Sequence, residues 1–149
     1  LLMFIGGCAG STACGIKIFR VQLLYLFIIN QIKKIIFPRG VFNIKYENKN
    51  IDDKFMSSVI SFIYLYILIF FIITALLSIN GLDFITSISG AATSISNVGP
   101  GLGDVIGPNG NFSKLTDFSK WILSLAMLLG RLELFAILIL FIPSFWRKY

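Results

Sequence analysis

Two glycine-rich stretches carry the chemistry this sequence offers. Ser94 to Asp104 reads SISNVGPGLGD, and Gly6 to Lys17 reads GGCAGSTACGIK. Neither holds a set of catalytic side chains. What glycine-rich backbone presents is its peptide groups: N–H donors for an anion, or carbonyl oxygens for a cation. The anion reading fits poorly. Gly10 to Gly15 has the G-x-x-x-x-G spacing of a phosphate loop, but Ile16 stands where lysine belongs, and Lys17 comes one place late. No strand-like run of a soluble domain precedes it. The chain has no histidine, which removes imidazole catalysis and imidazole metal sites, and Cys8 and Cys14 make no CxxC pair.

The elements that must position these stretches are membrane segments. Of 149 residues, 56% are hydrophobic and 13% charged, with mean hydropathy +0.86. A soluble domain is about one quarter charged. The net charge of +6 does not point to nucleic acid, because the basic residues cluster beside apolar spans and form no face. LLMFIGG at the start has no charged leader and no cleavage pattern. It reads as the middle of a hydrophobic segment, so the chain is expected to be a fragment. Ser57 to Ile79 carries no charge and is long enough for a bilayer core. Trp121 to Ile142 is flanked by Lys120 and by Trp146, Arg147 and Lys148, as a membrane interface favours. Ile16 to Phe37 is a third apolar stretch, interrupted upstream by the first glycine-rich run. Leu82 to Ser96 is too short and too polar to span, but suits a helix that enters part way.

Loop charges set the orientation. Lys33, Lys34, Arg39, Lys45, Lys49 and Lys54 crowd the first loop, and Arg147 and Lys148 end the chain, whereas Asn80 to Thr116 holds only Lys114. The positive-inside rule places the first loop and the C-terminus in the cytoplasm. The expected location is a multi-pass protein of the cytoplasmic (inner) membrane. The order is then span outward, short polar helix, glycine stretch, span inward. Irregular backbone at membrane depth is tolerated only when buried in protein or lining water. Extended backbone there can turn successive carbonyls toward a permeating cation and replace its hydration shell. Asn97-Val98-Gly99-Pro100-Gly101 aligns with the Thr-Val-Gly-Tyr-Gly pattern of potassium filters at Val98, Gly99 and Gly101. The competing reading is an extracellular loop, and Gly107-Pro108-Asn109-Gly110 is read as a surface turn of that kind. Asp104 is placed either at an outer mouth or simply in solvent. Asn111-Phe112-Ser113 matches a glycosylation triplet of a kind that arises by chance. For Gly6 to Gly15, close helix packing through small residues explains one face. Small residues at nearly every position fit better a broken helix whose loop lies inside the membrane.

Taken in order, FIGGCAGSTACGIK, SNVGPG and LGRLELF resemble the membrane subunit of the Trk/Ktr potassium uptake family. The resemblance implies an all-α membrane protein, a helix–pore loop–helix repeat preceded by a broken transmembrane helix. Residues 1–40 would be the last, broken helix of the third of four repeats, 41–56 a cytoplasmic linker, 57–142 the fourth repeat and 143–149 a cytoplasmic tail. It implies potassium uptake through filter carbonyls of Asn97, Val98, Gly99, Pro100 and Gly101, the ion held through the Val98 and Gly99 oxygens, with Gly99 the key filter glycine. It also implies an intramembrane gate loop including Gly6, Gly7, Gly10, Ser11, Thr12 and Gly15. Cys14 departs from the family's Gly-Ser-Thr-Ala-Gly-Gly. Further implications are a homodimer of the full-length protein and a cytosolic ring subunit with nucleotide-binding folds. The basic linker and tail face the side to meet that ring, or lipid headgroups. This chain itself would bind no cofactor, and potassium would be the substrate.

Two other classes were weighed. A two-span potassium channel subunit assembling as a tetramer conflicts with the broken helix ahead of the first full span. A membrane enzyme built on Arg131 and Glu133 lacks a nucleophile or metal cluster. Arg131 lies near the middle of the Trp121–Ile142 span, where an arginine costs roughly 2.5–3.5 kcal/mol on insertion scales. Glu133, two residues on, points away from it on a helix. Arg131 is therefore expected to donate to carbonyls of the Gly6–Gly15 loop and hold it as a gate. The alternative is that it lines the inner vestibule and repels cations.

The orientation has a direct check. Asn109→Cys should react with an impermeant thiol reagent added outside, above the background of Cys8 and Cys14, and Lys49→Cys should not. The reverse labelling pattern would overturn the charge-based topology.

Overall fold

In a computed structural model, the chain is described at residues 4, 6–7, 14–37, 40, 45–46, 49–103, 105–108 and 110–131. Its elements run α1 (Ile18–Ile36), β1 (Lys45–Tyr46), β2 (Lys49–Asn50), α2 (Asp53–Ile79), α3 (Phe84–Ser96), a 3₁₀ turn (Phe112–Lys114) and α4 (Asp117–Arg131). The architecture is helical, as expected. The one unexpected element is the two-residue antiparallel pair in the basic linker, with Lys45 opposite Asn50 and Tyr46 opposite Lys49.

Helix α2 is the longest, at 27 residues. It contains neither glycine nor proline, and its length of about 40 Å exceeds a bilayer core. Among the described residues it is the one helix long and apolar enough to cross a membrane by length and composition. It starts at Asp53, four residues before the apolar run at Ser57. Hydropathy marks where the greasy surface begins, whereas the helix begins where its backbone bonds do, at Met56 N to Asp52 O. α2 ends in a Schellman turn: Gly81 N bonds Ser78 O, Leu82 N bonds Leu77 O, and Gly81 takes φ +85°.

Helix α3 has 13 residues, about 20 Å, too short to span. Most of it is buried, including Ala91, Thr93, Ser94 and Ile95. It lies between α2 and α4. Phe62, Tyr66, Ile73 and Leu77 of α2, Ala91 and Ile95 of α3, and Leu123 and Ala126 of α4 form one apolar cluster with Ile106 and Leu115 of the loop. Small residues such as Gly90, Ala91 and Ala92 let larger neighbours close on this helix. A Cβ at Gly90 would press on Ile106 Cδ1 at 3.0 Å.

Helix α4 opens with Thr116, whose Oγ1 accepts from Ser119 N, while Asp117 sits in the positive first turn. The side chain of Asn80, at the end of α2, donates to Thr116 Oγ1 and Ser119 Oγ. That contact ties the C-terminal end of α2 to the N-terminal end of α4. The Gly107–Gly110 turn is observed as read from sequence, closed by Gly110 N to Gly107 O at 2.9 Å. The continuation of the Trp121–Ile142 span beyond Arg131, with Glu133 and the tail, lies outside the described residues, as do Asp104 and Asn109.

Helix α1 leans on the first turns of α2 through Leu23, Met56 and Val59. The Arg20 guanidinium lies 4.0 Å from the centre of the Phe62 ring, a cation–π contact between the two helices.

Candidate functional site

The segment after α3 is built by turning peptide N–H groups into the protein. α3 ends in a second Schellman turn: Asn97 N bonds Ser94 O at 3.2 Å and Val98 N bonds Thr93 O at 3.0 Å. Here the left-handed residue is Asn97, at φ 52°, a conformation asparagine tolerates better than most residues. Gly101 N then bonds Ile106 O at 2.8 Å, and Leu102 N bonds Ser89 Oγ at 3.0 Å. Pro100 has no N–H. Thus the N–H groups of Asn97, Val98, Gly101 and Leu102 are all used inside the fold. Among the described residues, no donor reaches the carbonyl oxygens of Asn97, Val98, Gly99, Pro100 or Gly101. Apart from the Gly99 N–H, which has no partner among the described residues, the segment turns its donors inward and leaves its carbonyls without a donor there.

The three glycines here have three different physical reasons. Gly99 has φ +109°, and a Cβ on it would meet nothing within 4 Å, so glycine is needed for the backbone angle alone. Gly101 is needed for space, because a Cβ would come within 2.6 Å of Ile106 Cδ1. Gly103 needs both: φ is +102° and a Cβ would approach Thr86 Oγ1 to 2.7 Å. The backbone angle alone accounts for Gly99, while Gly101 answers to the Ile106 side chain.

Ser89 is a site residue that the sequence did not flag. Its Oγ accepts from Leu102 N and donates to Leu102 O at 2.9 Å, with Thr86 O a longer alternative at 3.3 Å. One hydroxyl thus satisfies both peptide groups of Leu102 and fastens the ascending segment to the flank of α3. Tyr66 and Ser96 share a hydrogen bond of 3.1 Å that fixes the last turn of α3 to α2. On the other side, Asn97 Nδ2 donates to Met127 O of α4 at 3.0 Å. Asn97 and Met127 are thirty residues apart, and their pairing leaves no sequence pattern.

The second glycine-rich stretch is seen at its neck. Gly6 N bonds Ile16 O and Ile16 N bonds Phe4 O, both at 2.9 Å, so Ile16 closes the base of the loop with two backbone bonds. Gly6 must be glycine, since a Cβ would reach Cys14 O at 2.5 Å. Gly15 has φ +91°. Cys14 adds no backbone strain, because Asn97 is the sole non-glycine with positive φ among the described residues. Phe4 anchors the neck on α2 through edge-to-face contacts with Tyr66 and Phe70, at 6.1 and 5.3 Å between centres. The neck thus interrupts the chain before α1, the break expected from the small-residue run. Gly10, Ser11 and Thr12 lie outside the described residues. Arg131, the last described residue of α4, is exposed, and its guanidinium has no hydrogen-bond partner among the described residues. The expected contact from Arg131 to the middle of the loop falls on residues that are not described.

This chain, with its half-length buried helix and irregular segments, is similar to known proteins in sequence and in fold. The TrkH family profile, described as a cation transport protein, matches residues 1–148. The chain belongs to the TrkH family. It is 46% identical over 147 residues to a Trk system potassium uptake protein, TrkI, of Halomonas elongata, covering 99% of this chain and 30% of that protein. It is 40% identical to the TrkH uptake protein of Vibrio parahaemolyticus, covering 97% of this chain and 29% of that one. The crystal structure of the potassium transporter TrkH from Vibrio parahaemolyticus superposes with TM-score 0.86 at 37% identity, over 97% of this chain and 30% of that chain. The chain therefore spans less than a third of the length of these relatives. Its fold is that of a membrane transport protein, which accords with the sequence resemblance.

Ser89→Ala should strip both Leu102 peptide groups of their partner. Leu102 is largely exposed, so the cost is that of ordinary hydrogen bonds, about 0.5–1.5 kcal/mol each. The detergent-solubilised full-length protein should melt measurably earlier, whereas Ser58→Ala, which removes only an exposed bond to Lys54 O, should not change the midpoint.

Proposed function

We propose that this chain supplies one quarter of a potassium uptake pore, with the main-chain oxygens of Asn97 to Gly101 as its share of the filter. The observation that carries this reading is the sorting of peptide groups after α3: four of the five N–H groups from Asn97 to Leu102 are bonded inward, and five successive carbonyls have no partner among the described residues. Backbone with more free acceptors than donors favours a cation over an anion, and carbonyl dipoles can stand in for its hydration shell. Val98 and Gly99 would contribute the oxygens that hold the ion. Potassium is the cargo named for the relatives. Ion passage calls for no covalent step. The stretch from Gly6 to Gly15 would act as an intramembrane gate below the filter. The linker and C-terminus would face the cytoplasm, and the full-length protein would pair as a homodimer over a cytosolic nucleotide-binding ring. The two-span tetrameric alternative is disfavoured by the neck at Phe4–Ile16, which a simple channel subunit does not need.

Gly99→Ser in the full-length protein should lower the ratio of potassium to sodium uptake. The β-carbon has room, so the effect comes from the positive φ that serine resists. Uptake measured separately in each ion reads the ratio, and an unchanged value would sink the assignment of Gly99.

Arg131→Ala separates two roles at the gate. If Arg131 holds the glycine loop across the pore, its loss should raise potassium flux and also weaken control by the cytosolic subunit. Flux measured with and without the regulatory ring and its nucleotide tests this. Raised flux with intact regulation would instead mean that Arg131 only repels cations from the vestibule.

A further inference from the structure

α2 and α3 end in the same way, and their difference is informative. Both close with a Schellman turn. At the end of α2 the left-handed residue is Gly81, with open space around it. At the end of α3 it is Asn97, which carries a side chain at a position where glycine is easier. That side chain reaches the Met127 carbonyl of α4 at 3.0 Å. Met127 sits one turn of α4 before Gly130 and Arg131.

Gly130 explains how the reach is possible. A Cβ at Gly130 would fall inside the Ile95 carbonyl oxygen, within 2.8 Å of the Ile95 carbonyl carbon and 3.0 Å from Asn97 Nδ2. The backbone of α4 therefore touches the backbone of the last turn of α3. A glycine inside a helix costs roughly 1 kcal/mol relative to alanine, and here nothing larger fits. Ala126, one turn earlier on α4, is fully buried and continues the close approach. The contact falls on the turn that launches the segment with free carbonyls. Gly130 has no side chain and the Asn97 Nδ2 is bonded to Met127 O, so both bear on where the Asn97–Gly101 backbone sits.

We propose that Gly130 and the Asn97 amide form a positioning brace between α4 and the end of α3 that sets ion selectivity. The brace rests on the filter reading above and deepens it. It makes the distance between α4 and the turn a determinant of carbonyl spacing. It also places a selectivity determinant in direct sequence contact with Arg131, so a shift of α4 at the gate is felt at the filter's base. Close contacts of this kind are bistable and pass on small displacements.

The test compares variants of the full-length protein for potassium and sodium uptake per inserted molecule. Gly130→Ala should lower the potassium-to-sodium ratio by roughly tenfold, since a displaced carbonyl set loses the field that discriminates the two ions. Asn97→Gly keeps the left-handed turn and deletes the amide; its ratio should fall in the same direction. A role in packing alone would lower the amount of inserted protein or its melting temperature and leave the ratio at the parental value. A parental ratio in inserted Gly130→Ala overturns the brace. Should that variant fail to insert, Asn97→Gly decides: a lowered ratio supports the brace and a parental one overturns it. Gly99→Ser, run alongside, separates this failure from that of the filter reading. If Gly99→Ser loses selectivity while both brace variants keep it, only the brace falls. If all three keep it, the filter assignment falls with it.

Discussion

The structure depends on one constraint: a helix that stops halfway through a membrane protein must dispose of its peptide groups without bulk water. Unpaired buried amides cost a few kcal/mol each. α3 meets the constraint with a Schellman turn at Asn97, a bond from Gly101 N to Ile106 O, and the Ser89 hydroxyl shared by both peptide groups of Leu102. With every donor from Asn97 to Leu102 except the Gly99 N–H drawn inward in this way, the acceptors of Asn97 to Gly101 remain together on the segment, without partners among the described residues. The same bonding that stabilises the irregular backbone thereby creates a run of oxygens suited to a cation. Stability and site are two consequences of one set of hydrogen bonds.

The packing around α3 follows from that requirement. The half-helix is polar by composition, with Thr86, Ser87, Ser89, Thr93, Ser94 and Ser96, yet it is the most enclosed helix described. Small side chains allow α2 and α4 to approach closely, and membrane helices associate through such contacts because lipid gives no hydrophobic drive between them. The extreme point is Gly130 against Ile95. The end of α2 is joined to the start of α4 by Asn80 on Thr116 and Ser119, and the last turn of α3 is held by Tyr66 on Ser96 and Asn97 on Met127. α3 is thus fixed at its C-terminal end by polar contacts and along its length by apolar ones.

The neck at Phe4–Ile16 applies the same logic to the second break. Two backbone bonds, both made by Ile16, close the loop's base, and Phe4 seats it on Tyr66 and Phe70. Tyr66 therefore touches both irregular segments: its ring meets Phe4 and its hydroxyl meets Ser96. α2 is the common support from which the loop and the end of α3 are measured. The cation–π contact of Arg20 on Phe62, one turn away, carries the support on to α1.

The sequence by itself determined the elements. An uncharged run from Ser57 to Ile79 can only be satisfied as a long helix in an apolar setting, and Leu82 to Ser96 is too short and too polar to cross. Glycine and proline at Gly99 to Gly103 forbid helix, so the half-helix and the irregular segment were both legible from local chemistry. The family was legible too, from three ordered motifs. What only the tertiary structure decided is why individual residues are what they are. Gly101 answers to Ile106, Gly103 to Thr86, Gly130 to the Ile95 carbonyl, and Ser89 to Leu102. Asn97 answers to Met127. These partners lie between five and thirty-five residues apart, with no period linking them, because they are set by how closely two helix backbones approach. A single sequence records that a glycine is present; the distance to the neighbouring backbone records what the glycine is for.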